Sequence, residues 1–326
     1  MNVMDYKYAV HAVLPDGTDW DITPAVTKLS WQDPDEEVAQ RANISIAQTM
    51  TNRGWLHEQL KLCVLIKIFA NGQEVFRGII WEWEYDSSNK TRDIGLTCYD
   101  HFIYTQKSKS FGYYAAGKST KDIISDICSK NGIKLQYDYQ SIKHAKTVFK
   151  SKTIADQILD TLEEAKKKLK NEPVAIFDKQ VLIVREKGAN ADVYSFKGDT
   201  NTVSTTERLT MDRLVTKVVV IGKEDSAGRR SIEATINGKL EYGTLQEIVY
   251  RDGDDTIAAA KDEAQKILDD RGKPESDIRA EVPDVPTMRK GDKIHMEAGS
   301  LIGFFCVRGV THNADTRSMS LELERM

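Results

Sequence analysis

One segment of the chain matches a nucleotide-binding motif. Four residues satisfy the P-loop pattern G-x-x-x-x-G-K-[ST] letter for letter: Gly112, Gly117, Lys118 and Ser119. In a P-loop, a buried strand leads into a loop of backbone N–H groups that surrounds phosphates in front of a helix N-terminus. Residues 174–178, which end in an aspartate, fit the acidic strand that helps to hold magnesium in such sites. The match supports a nucleotide-binding hypothesis.

A partial repeat of this motif favours a structural interpretation instead. Residues 105–111, just before the motif, are polar and do not have the composition of a buried strand. The pattern Lys-[Ser/Thr]-x-x-Asp at 118–122 recurs at 152–156, an offset of 34 residues, without the glycines. Serine or threonine followed three residues later by an acid caps the first N–H groups of a helix. We therefore predict two capped helices, and a P-loop nucleotide-binding protein is kept only as an alternative.

The remaining reactive residue types do not have the spacing of a site. The six histidines are scattered along the chain, and none belongs to a pattern of the H-E-x-x-H type. The four cysteines include no C-x-x-C pair, and a cysteine in an apolar strand or helix behaves as a small hydrophobe. We therefore predict no enzymatic activity, no cofactor and no metal ion.

The bulk composition is that of an ordinary globular protein. With 326 residues, of which 40% are hydrophobic and 29% charged, the chain is long enough for two or three domains. Its net charge of −4 gives no overall attraction for nucleic acid, although a local basic patch can hide in a near-neutral total. The apolar stretches are too short to span a bilayer, and the N-terminus lacks a signal-peptide pattern. We expect synthesis in the cytoplasm and no membrane partner.

The first third of the chain has the pattern of antiparallel β-strands. Residues 42–48 and 62–68 alternate between apolar and polar side chains, and Asn71-Gly72 marks a tight hairpin. Strict alternation along the strand after this hairpin predicts two faces. One face carries Val75, Arg77, Ile79, Trp81, Trp83 and Tyr85, and the other carries Phe76, Gly78, Ile80, Glu82 and Glu84.

The last third repeats this β-pattern around one helix. Strands are predicted at residues 214–221, 247–250 and 318–323. A helix is predicted from about Thr256 to Arg271, because its apolar residues have helical spacing. Either Asp254 or Asp255 can cap its start.

An internal similarity predicts how these parts are arranged. Phe-Arg-Gly-Ile at 76–79 is similar to Val-Arg-Gly-Val at 307–310, and each segment begins a predicted hairpin. The similarity suggests two related antiparallel β-barrels around a small middle domain made of two αβ units. We therefore predict a β-dominated α+β fold with three domains, at residues 1–112, 113–204 and 205–326.

The order of these segments resembles the XkdQ/YqbQ-like tail hub family over essentially the whole chain. Members of that family occur in defective prophages, phage-tail-like bacteriocins, contractile-tailed phages and related contractile injection systems. The resemblance rests on a series of segments in order: residues 71–79, 117–124, 181–186, 214–221, 256–271 and 290–292. None of these segments is catalytic.

The resemblance implies a structural role in virion or bacteriocin assembly. Two tail-tube-like barrels in one chain would let a homotrimer present six barrels, which stack on a six-fold tail tube and meet a three-fold spike. The implied partners are further copies of the chain, the tail tube protein, the spike protein and other baseplate components, with no specific nucleic acid. Glu82 and Glu84 would face the lumen and keep DNA from sticking, unless they belong to a solvated outer face.

A cell-wall binding module is an alternative for the middle of the chain. Residues 117–120, followed by a short amphipathic helix, also resemble LysM-type peptidoglycan binders. Those units usually place two short helices between two strands. The sequence predicts one helix for each unit, so it departs from that pattern.

Overall fold

Strands dominate the protein. The computed structural model describes residues 6–35, 37–87, 92–251 and 255–326, so the first five residues and Asp254 lie outside the described part. About 50% of the chain is strand and 17% is helix. The prediction of a β-dominated fold with few helices is confirmed.

The described residues form the following strands and helices. The strands are β1 (Tyr8–Val13), β2 (Asp19–Asp21), β3 (Val26–Asp33), β4 (Arg41–Ala47), β5 (Met50–Thr51), β6 (Gly54–Trp55), β7 (Leu65–Ala70), β8 (Gln73–Ser87), β9 (Arg92–Tyr99), β10 (Lys109–Tyr114), β11 (Lys134–Asp138), β12 (Thr147–Thr153), β13 (Pro173–Asp178), β14 (Val181–Glu186), β15 (Tyr194–Lys197), β16 (Ser204–Thr210), β17 (Lys217–Glu224), β18 (Arg230–Asn237), β19 (Gln246–Tyr250), β20 (Glu275–Pro283), β21 (Lys293–Ala298), β22 (Leu301–Asn313) and β23 (Ser318–Arg325). The α-helices are α1 (Leu56–Gln59), α2 (Ile103–Lys107), α3 (Thr120–Lys130), α4 (Ile154–Lys166) and α5 (Ile257–Arg271).

The chain forms two compact units. The first combines residues 1–205 with 279–326, and the second consists of residues 206–278. The chain passes from the first unit to the second within β16 and returns within β20. The three-domain division at 112/113 and 204/205 stays a prediction.

The main sheet contains strands from both ends of the chain. Its order is β16-β20-β23-β22-β3-β4-β9-β8-β7-β1-β2, and β21 and β15 extend it beside the first half of β22. The second half of β22 forms an antiparallel ladder with β3, from Val310 opposite Asp33 to Asn313 opposite Ser30. Among the described residues no ladder joins the two ends of this order, so the sheet is open there and no closed barrel is detected.

Alternating apolar side chains of these strands form one large core in the first unit. Val10, Ile66 and Ile94 lie fully buried in it, on three different strands. Each square ångström of apolar surface removed from water stabilises the fold by about 25 cal/mol. Trp31 is also buried and stacks on His312, with 4.6 Å between ring centroids and 10° between ring planes. The core therefore includes direct contacts between the first and last parts of the chain.

A bulge in β8 corrects the predicted faces of that strand. Ile80 pairs with Cys98 and Glu82 pairs with Thr97, so Trp81 is an extra residue in the ladder. Past the bulge, the side chains change face. Trp83 and Tyr85 therefore pack against the same core as Phe76 and Ile80, and the prediction of strict alternation through Tyr85 was wrong. An extra residue of this kind does not show in an apolar–polar pattern.

The middle of the first unit consists of two related αβ units. The first runs β10–α3–β11 and the second β12–α4–β13–β14, with β10 antiparallel to β12 and β11 parallel to β14. Both predicted caps are confirmed. Ser119 Oγ accepts from Asp122 N at 3.1 Å, and Thr153 Oγ1 accepts from Asp156 N at 3.0 Å. Each unit has one helix, as the repeat predicts.

The second unit places one helix on a three-stranded sheet. In the order β18-β17-β19, Val218, Val220 and Val249 pack against Ala264 and Leu268 of α5. The predicted helix is confirmed, but its predicted cap is wrong. Thr256 caps α5 by accepting from Ala259 N at 3.1 Å, and Asp255 precedes this N-cap. Threonine competes with aspartate at N-caps, so composition alone did not separate the two.

The two caps of the middle units generate a stability prediction. Ser119→Ala and Thr153→Ala each leave an N–H of the first helical turn without its acceptor, so each should lower the free energy of unfolding by about 1 kcal/mol. Lys118→Ala is the matched control, because its exposed side chain precedes the cap, and it should change stability by less than about 0.5 kcal/mol. Urea denaturation measures all three. An equal loss in the Lys118 variant would contradict the capping assignment.

Candidate functional site: a buried ionic cluster and an open sheet edge

The P-loop-like segment has its backbone donors occupied. Gly117 N donates to His144 O at 2.9 Å, and Thr120 N donates to Ile142 O at 3.1 Å. Ser119 N donates to the Asp122 carboxylate at 3.2 Å, which completes a reciprocal capping box. These N–H groups therefore hold the chain and do not converge on a phosphate position. The geometry supports the interpretation of this motif as a helix start.

The glycines of that segment have structural reasons. Gly117 has φ +91°, a backbone conformation that favours glycine. Gly112 lies in β10 opposite Phe149, and a Cβ there would come within 2.9 Å of Gln157 Oε1. Gln157 is buried and donates to the Ser110 hydroxyl at 2.8 Å, so it has little freedom to move away.

The strand suggested as a magnesium-binding partner ends at Asp178, which lies 3.7 Å from the Arg289 guanidinium.

Glu82 and Glu84 are both exposed and follow the bulge of β8 on one face. Glu82 lines a recess of about 360 Å³ with Trp81, Tyr99 and Lys107, which lies beside α2 and α4. The two glutamates, which are predicted from the sequence to share one face of the strand, therefore both lie on the surface. That they face a lumen stays a prediction.

A buried cluster of charged residues links distant parts of the first unit. Asp33, at the end of β3, accepts from Arg289 Nε at 2.8 Å, and the aspartate side chain is 1% exposed. The other Asp33 oxygen lies 3.8 Å from Lys290 Nζ. Arg289 also donates to the Phe177 carbonyl at 3.0 Å, at the end of β13. Burial disfavours the charge on Arg289, but the carboxylates of Asp33, Asp178 and Asp100 together outweigh this effect and raise the pKa of Arg289.

Lys290 and Gly291 extend this cluster to the middle of the chain. Lys290 Nζ donates to the Pro34 carbonyl at 3.2 Å and to the Glu37 carbonyl. Burial lowers the pKa of this lysine, and Asp33 partly opposes the shift. Gly291 has φ +80°, and a Cβ there would lie 2.6 Å from a methyl group of Val174. Glycine at this position is therefore required both by backbone conformation and by close packing.

Asp292 completes the cluster on the side of β14. Its carboxylate accepts from Arg185 at 2.5 Å and from Arg289 N at 2.9 Å. Burial nevertheless raises the pKa of Asp292 above its ordinary value. The segment 289–292 thereby contacts strands β3, β13 and β14 through charged groups. Buried charges need such partners, because an isolated one would cost several kcal/mol.

Asp100 lies buried next to this cluster. Its two oxygens accept from Gln40 N at 2.8 Å and from Phe102 N at 2.9 Å. Burial raises the pKa of Asp100 to about 8, although these two hydrogen bonds act in the opposite direction. The carboxyl group therefore joins the start of β4 to the chain that follows β9, at a site where its charge is disfavoured.

Sequence reasoning missed this cluster. Asp33 and Arg289 are separated by 256 residues, and neither belongs to a motif. The available signal was the Lys-Gly-Asp triplet at 290–292, which the resemblance contained only as the entry to a strand. A glycine between two opposite charges at a strand entry is compatible with an ordinary turn, so the triplet did not reveal its partners.

The outer edge of β15 is covered by the turn that follows it, through the backbone and the side chain of Asn201. Among the described strands, β15 pairs only with β21, in parallel. Lys197 O accepts from Asn201 N at 3.0 Å. Asn201 Oδ1 accepts from Lys197 N at 2.6 Å, and Asn201 Nδ2 donates to Ser195 O at 3.1 Å. In a parallel ladder, one residue makes the same two hydrogen bonds: it donates to the carbonyl of residue i−1 of the neighbouring strand and accepts from the N–H of residue i+1. Asn201 thus substitutes for a missing strand, beside a groove of about 740 Å³.

Two further properties of the described residues bear on function. None of their His, Cys, Asp and Glu side chains form a group of three or more that could hold a metal ion. No described helix is both long enough and apolar enough to cross a membrane.

Comparison with solved structures defines a class of protein. The tail protein from Neisseria meningitidis MC58 superposes with a TM-score of 0.70 at 13% identity, covering 98% of this chain and 97% of its own. The 43 kDa tail protein of prophage MuSo2 from Shewanella oneidensis gives 0.73 at 13% identity, with 98% of both chains covered. The E. coli c3393 protein, a type VI secretion component described as similar to T4 tail proteins gp27 and gp5, gives 0.53 at 9% identity, covering 92% of this chain and 74% of its own. The chain therefore has the fold of a phage tail protein.

The sequence gives the family. The model of the YQBQ-like family matches residues 29–324, so the chain belongs to that family of phage tail proteins. The predicted family resemblance is confirmed. No curated protein matches the sequence.

The buried ion pair generates a prediction with a matched control. Arg289→Ala leaves the Asp33 carboxylate buried without its main partner and should lower the free energy of unfolding by about 3–5 kcal/mol. Arg308→Ala removes an arginine of the same region whose pairing with Asp35 is partly exposed, and it should cost less than about 1 kcal/mol. Urea denaturation followed by tryptophan fluorescence compares the two. Similar losses would show that burial of the Asp33 pair is not important.

The raised pKa of Asp100 generates a pH prediction. A carboxyl group whose pKa is higher in the folded than in the unfolded state stabilises the fold at low pH, and this contribution disappears as the pH rises through about 8. Relative to Asp100→Asn, the wild type should therefore lose stability between about pH 4, near the ordinary aspartate pKa, and about pH 8. Asp262→Asn, at an exposed position of α5, should show no such trend. A wild-type advantage that grows with pH would mean that Asp100 is charged in the fold.

Proposed function

We propose that this chain is the baseplate hub of a phage-like tail, which joins a six-fold tail tube to a three-fold spike as a homotrimer. Membership of the YQBQ-like family supports a place in the tail. The similarity to the E. coli c3393 protein, itself described as similar to T4 gp27 and gp5, supports a place near the spike.

The observation that carries this proposal is a repeated strand order within the main sheet. One half has the order β4-β9-β8-β7-β1, and the other has β20-β23-β22-β21-β15. In each half a long bulged strand, of 15 residues in β8 and 13 in β22, lies between its two hairpin partners. We assign these halves to the two predicted tube-like barrels, because they contain the similar segments at 76–79 and 307–310.

Two similar halves per chain would allow a change from six-fold symmetry at the tube to three-fold symmetry at the spike. Three chains would present six halves, which match a six-fold ring, while the trimer keeps the three-fold axis of a spike. In such a ring, the strands of each half would curve, and the half would approach a closed barrel together with the adjacent halves. Strand addition at an open edge joins adjacent subunits. The outer edge of β15, where one asparagine replaces a strand, is the edge that we assign to this contact.

The acidic pair fits the inner wall of the ring. Glu82 and Glu84 project from one face of β8, and neither is buried. Carboxylates on a lumen surface repel a DNA backbone that passes through it. Within this proposal the two glutamates therefore line the channel.

Light scattering on purified protein tests the hub. The wild type should be a trimer, alone or after addition of the spike protein, and electron microscopy of particles lacking the chain should show failed baseplates. Lys197→Pro removes the outward N–H of β15, so it should prevent strand addition and give a monomer. Lys197→Ala and Asn201→Ala keep that N–H and should stay trimeric. A wild type that remains monomeric with the spike would overturn the hub, whereas a trimeric Lys197→Pro variant would overturn only the β15 contact.

A further inference from the structure

One surface of the middle units combines lysines and exposed aromatic rings. Strands β10 and β12 form a two-stranded ribbon, in which Tyr113 lies opposite Val148. Its outward face consists of three residues of β10 and three residues in or next to β12: Lys109, Phe111, Tyr113, Lys146, Val148 and Lys150. We call this set the basic ribbon. It contains no acidic residue.

The exposed rings stand on a rigid base. Phe111 is 68% exposed and Tyr113 is 58% exposed. The inward residues Tyr114 and Phe149 are buried in the core of the middle units, with ring centroids 6.2 Å apart. The backbone of the ribbon is therefore fixed from one side, and its apolar outer face is a defined feature of the fold. Exposed aromatic groups of this kind mark an interaction surface.

The segment that contains the ribbon is basic, whereas the chain as a whole is slightly acidic. Residues 105–153 contain ten lysines and three aspartates, with no arginine or glutamate, although the whole chain has a net charge of −4. In the described part of the protein, none of the three ribbon lysines forms an ion pair with a carboxylate. A local basic patch is thus present within a near-neutral total. It fits a partner with repeated negative charges.

We propose that the basic ribbon binds single-stranded nucleic acid without sequence preference. Lysine ammonium groups neutralise phosphates, and exposed phenyl and phenol rings stack on bases, which all have a flat aromatic face. Phe111 and Tyr113 are two residues apart on one strand, so their rings project side by side about 7 Å apart. A duplex keeps its base faces stacked inside, which leaves the rings without partners. An anionic wall polymer without aromatic groups would use the lysines alone.

Fluorescence anisotropy with a labelled oligothymidylate of about 20 nucleotides tests the proposal on the full chain. Binding should be detectable at about 50 mM salt and weaken steeply towards about 200 mM. The double variant Phe111→Ala, Tyr113→Ala should bind at least about tenfold more weakly. The matched control changes two exposed rings elsewhere, Phe304→Ala and Tyr242→Ala, and should bind like the wild type. Circular dichroism checks that every variant is folded.

The contribution of the lysines is tested through salt dependence. We expect the triple variant Lys109→Gln, Lys146→Gln, Lys150→Gln to have a shallower plot of log affinity against log salt concentration. The negative slope should become smaller in magnitude by about 2, because each phosphate contact in a single strand contributes about 0.7. The control triple Lys239→Gln, Lys261→Gln and Lys266→Gln has the same net charge and should keep the wild-type slope. An equal decrease of the salt slope in both triple variants would overturn the proposal.

Competition separates nucleic acid from other polyanions. Single strands should displace the probe at least about tenfold better than duplex DNA or a poly(glycerol phosphate) chain, because only unstacked bases reach both rings. Equal displacement by the poly(glycerol phosphate) chain would assign the surface to wall polymers and overturn the nucleic-acid proposal. Absence of binding at low salt would also overturn it. Neither result bears on whether the chain trimerises, so the hub proposal is tested separately.

Discussion

The pairing of Asp33 with Arg289 is the contact on which the architecture of the first unit depends. It joins the end of β3 to a segment 256 residues later, where the final strands begin. The same guanidinium reaches the carbonyl of Phe177, so one side chain connects the first, middle and last parts of this unit. Compared with apolar side chains at the same positions, a buried ion pair adds little net stability. A buried charge without its partner, however, strongly destabilises the fold. The effect of the pair is therefore to disfavour other arrangements of the three segments.

The ring of His312, which stacks on Trp31, also joins the last part of the chain to the first. His312 Nδ1 lies 2.6 Å from Asp284 Oδ1, and its Nε2 lies 3.1 Å from the Met288 carbonyl. Both ring nitrogens thus face acceptors, and the ring stacks flat on Trp31. A shift of the β22–β3 ladder by one residue would turn His312 to the opposite face. The ladder can form in only one register without leaving these groups unpaired.

Local patterns in the sequence predicted local structure well. The helix caps at Ser119 and Thr153 and the helix α5 were predictable because each depends on residues within one or two turns of one another. The bulge at Trp81 was not predictable, since an inserted residue changes the faces without changing the composition. The ionic cluster was not predictable either, because its members lie far apart in sequence and only the folded chain brings Asp33 to Arg289. The basic ribbon lies between these cases: its lysines are countable, but only the pairing of β10 with β12 shows that they share a face with Phe111 and Tyr113.

The two halves of the main sheet are similar in order but differ at their outer strands, and this difference has a consequence for assembly. In the first half, β1 is antiparallel to β7 and is itself covered by β2. In the second half, β15 is parallel to β21, and the long connection that parallel pairing requires is residues 198–292, which contain the second unit. One half therefore ends in a short strand bearing Asp19 and Asp21, and the other ends in an edge that the turn containing Asn201 covers. Six halves in a ring would then offer two kinds of contact in alternation. A ring of that kind is three-fold in its contacts and close to six-fold in its outline, which is the combination that a connector between a tube and a spike requires.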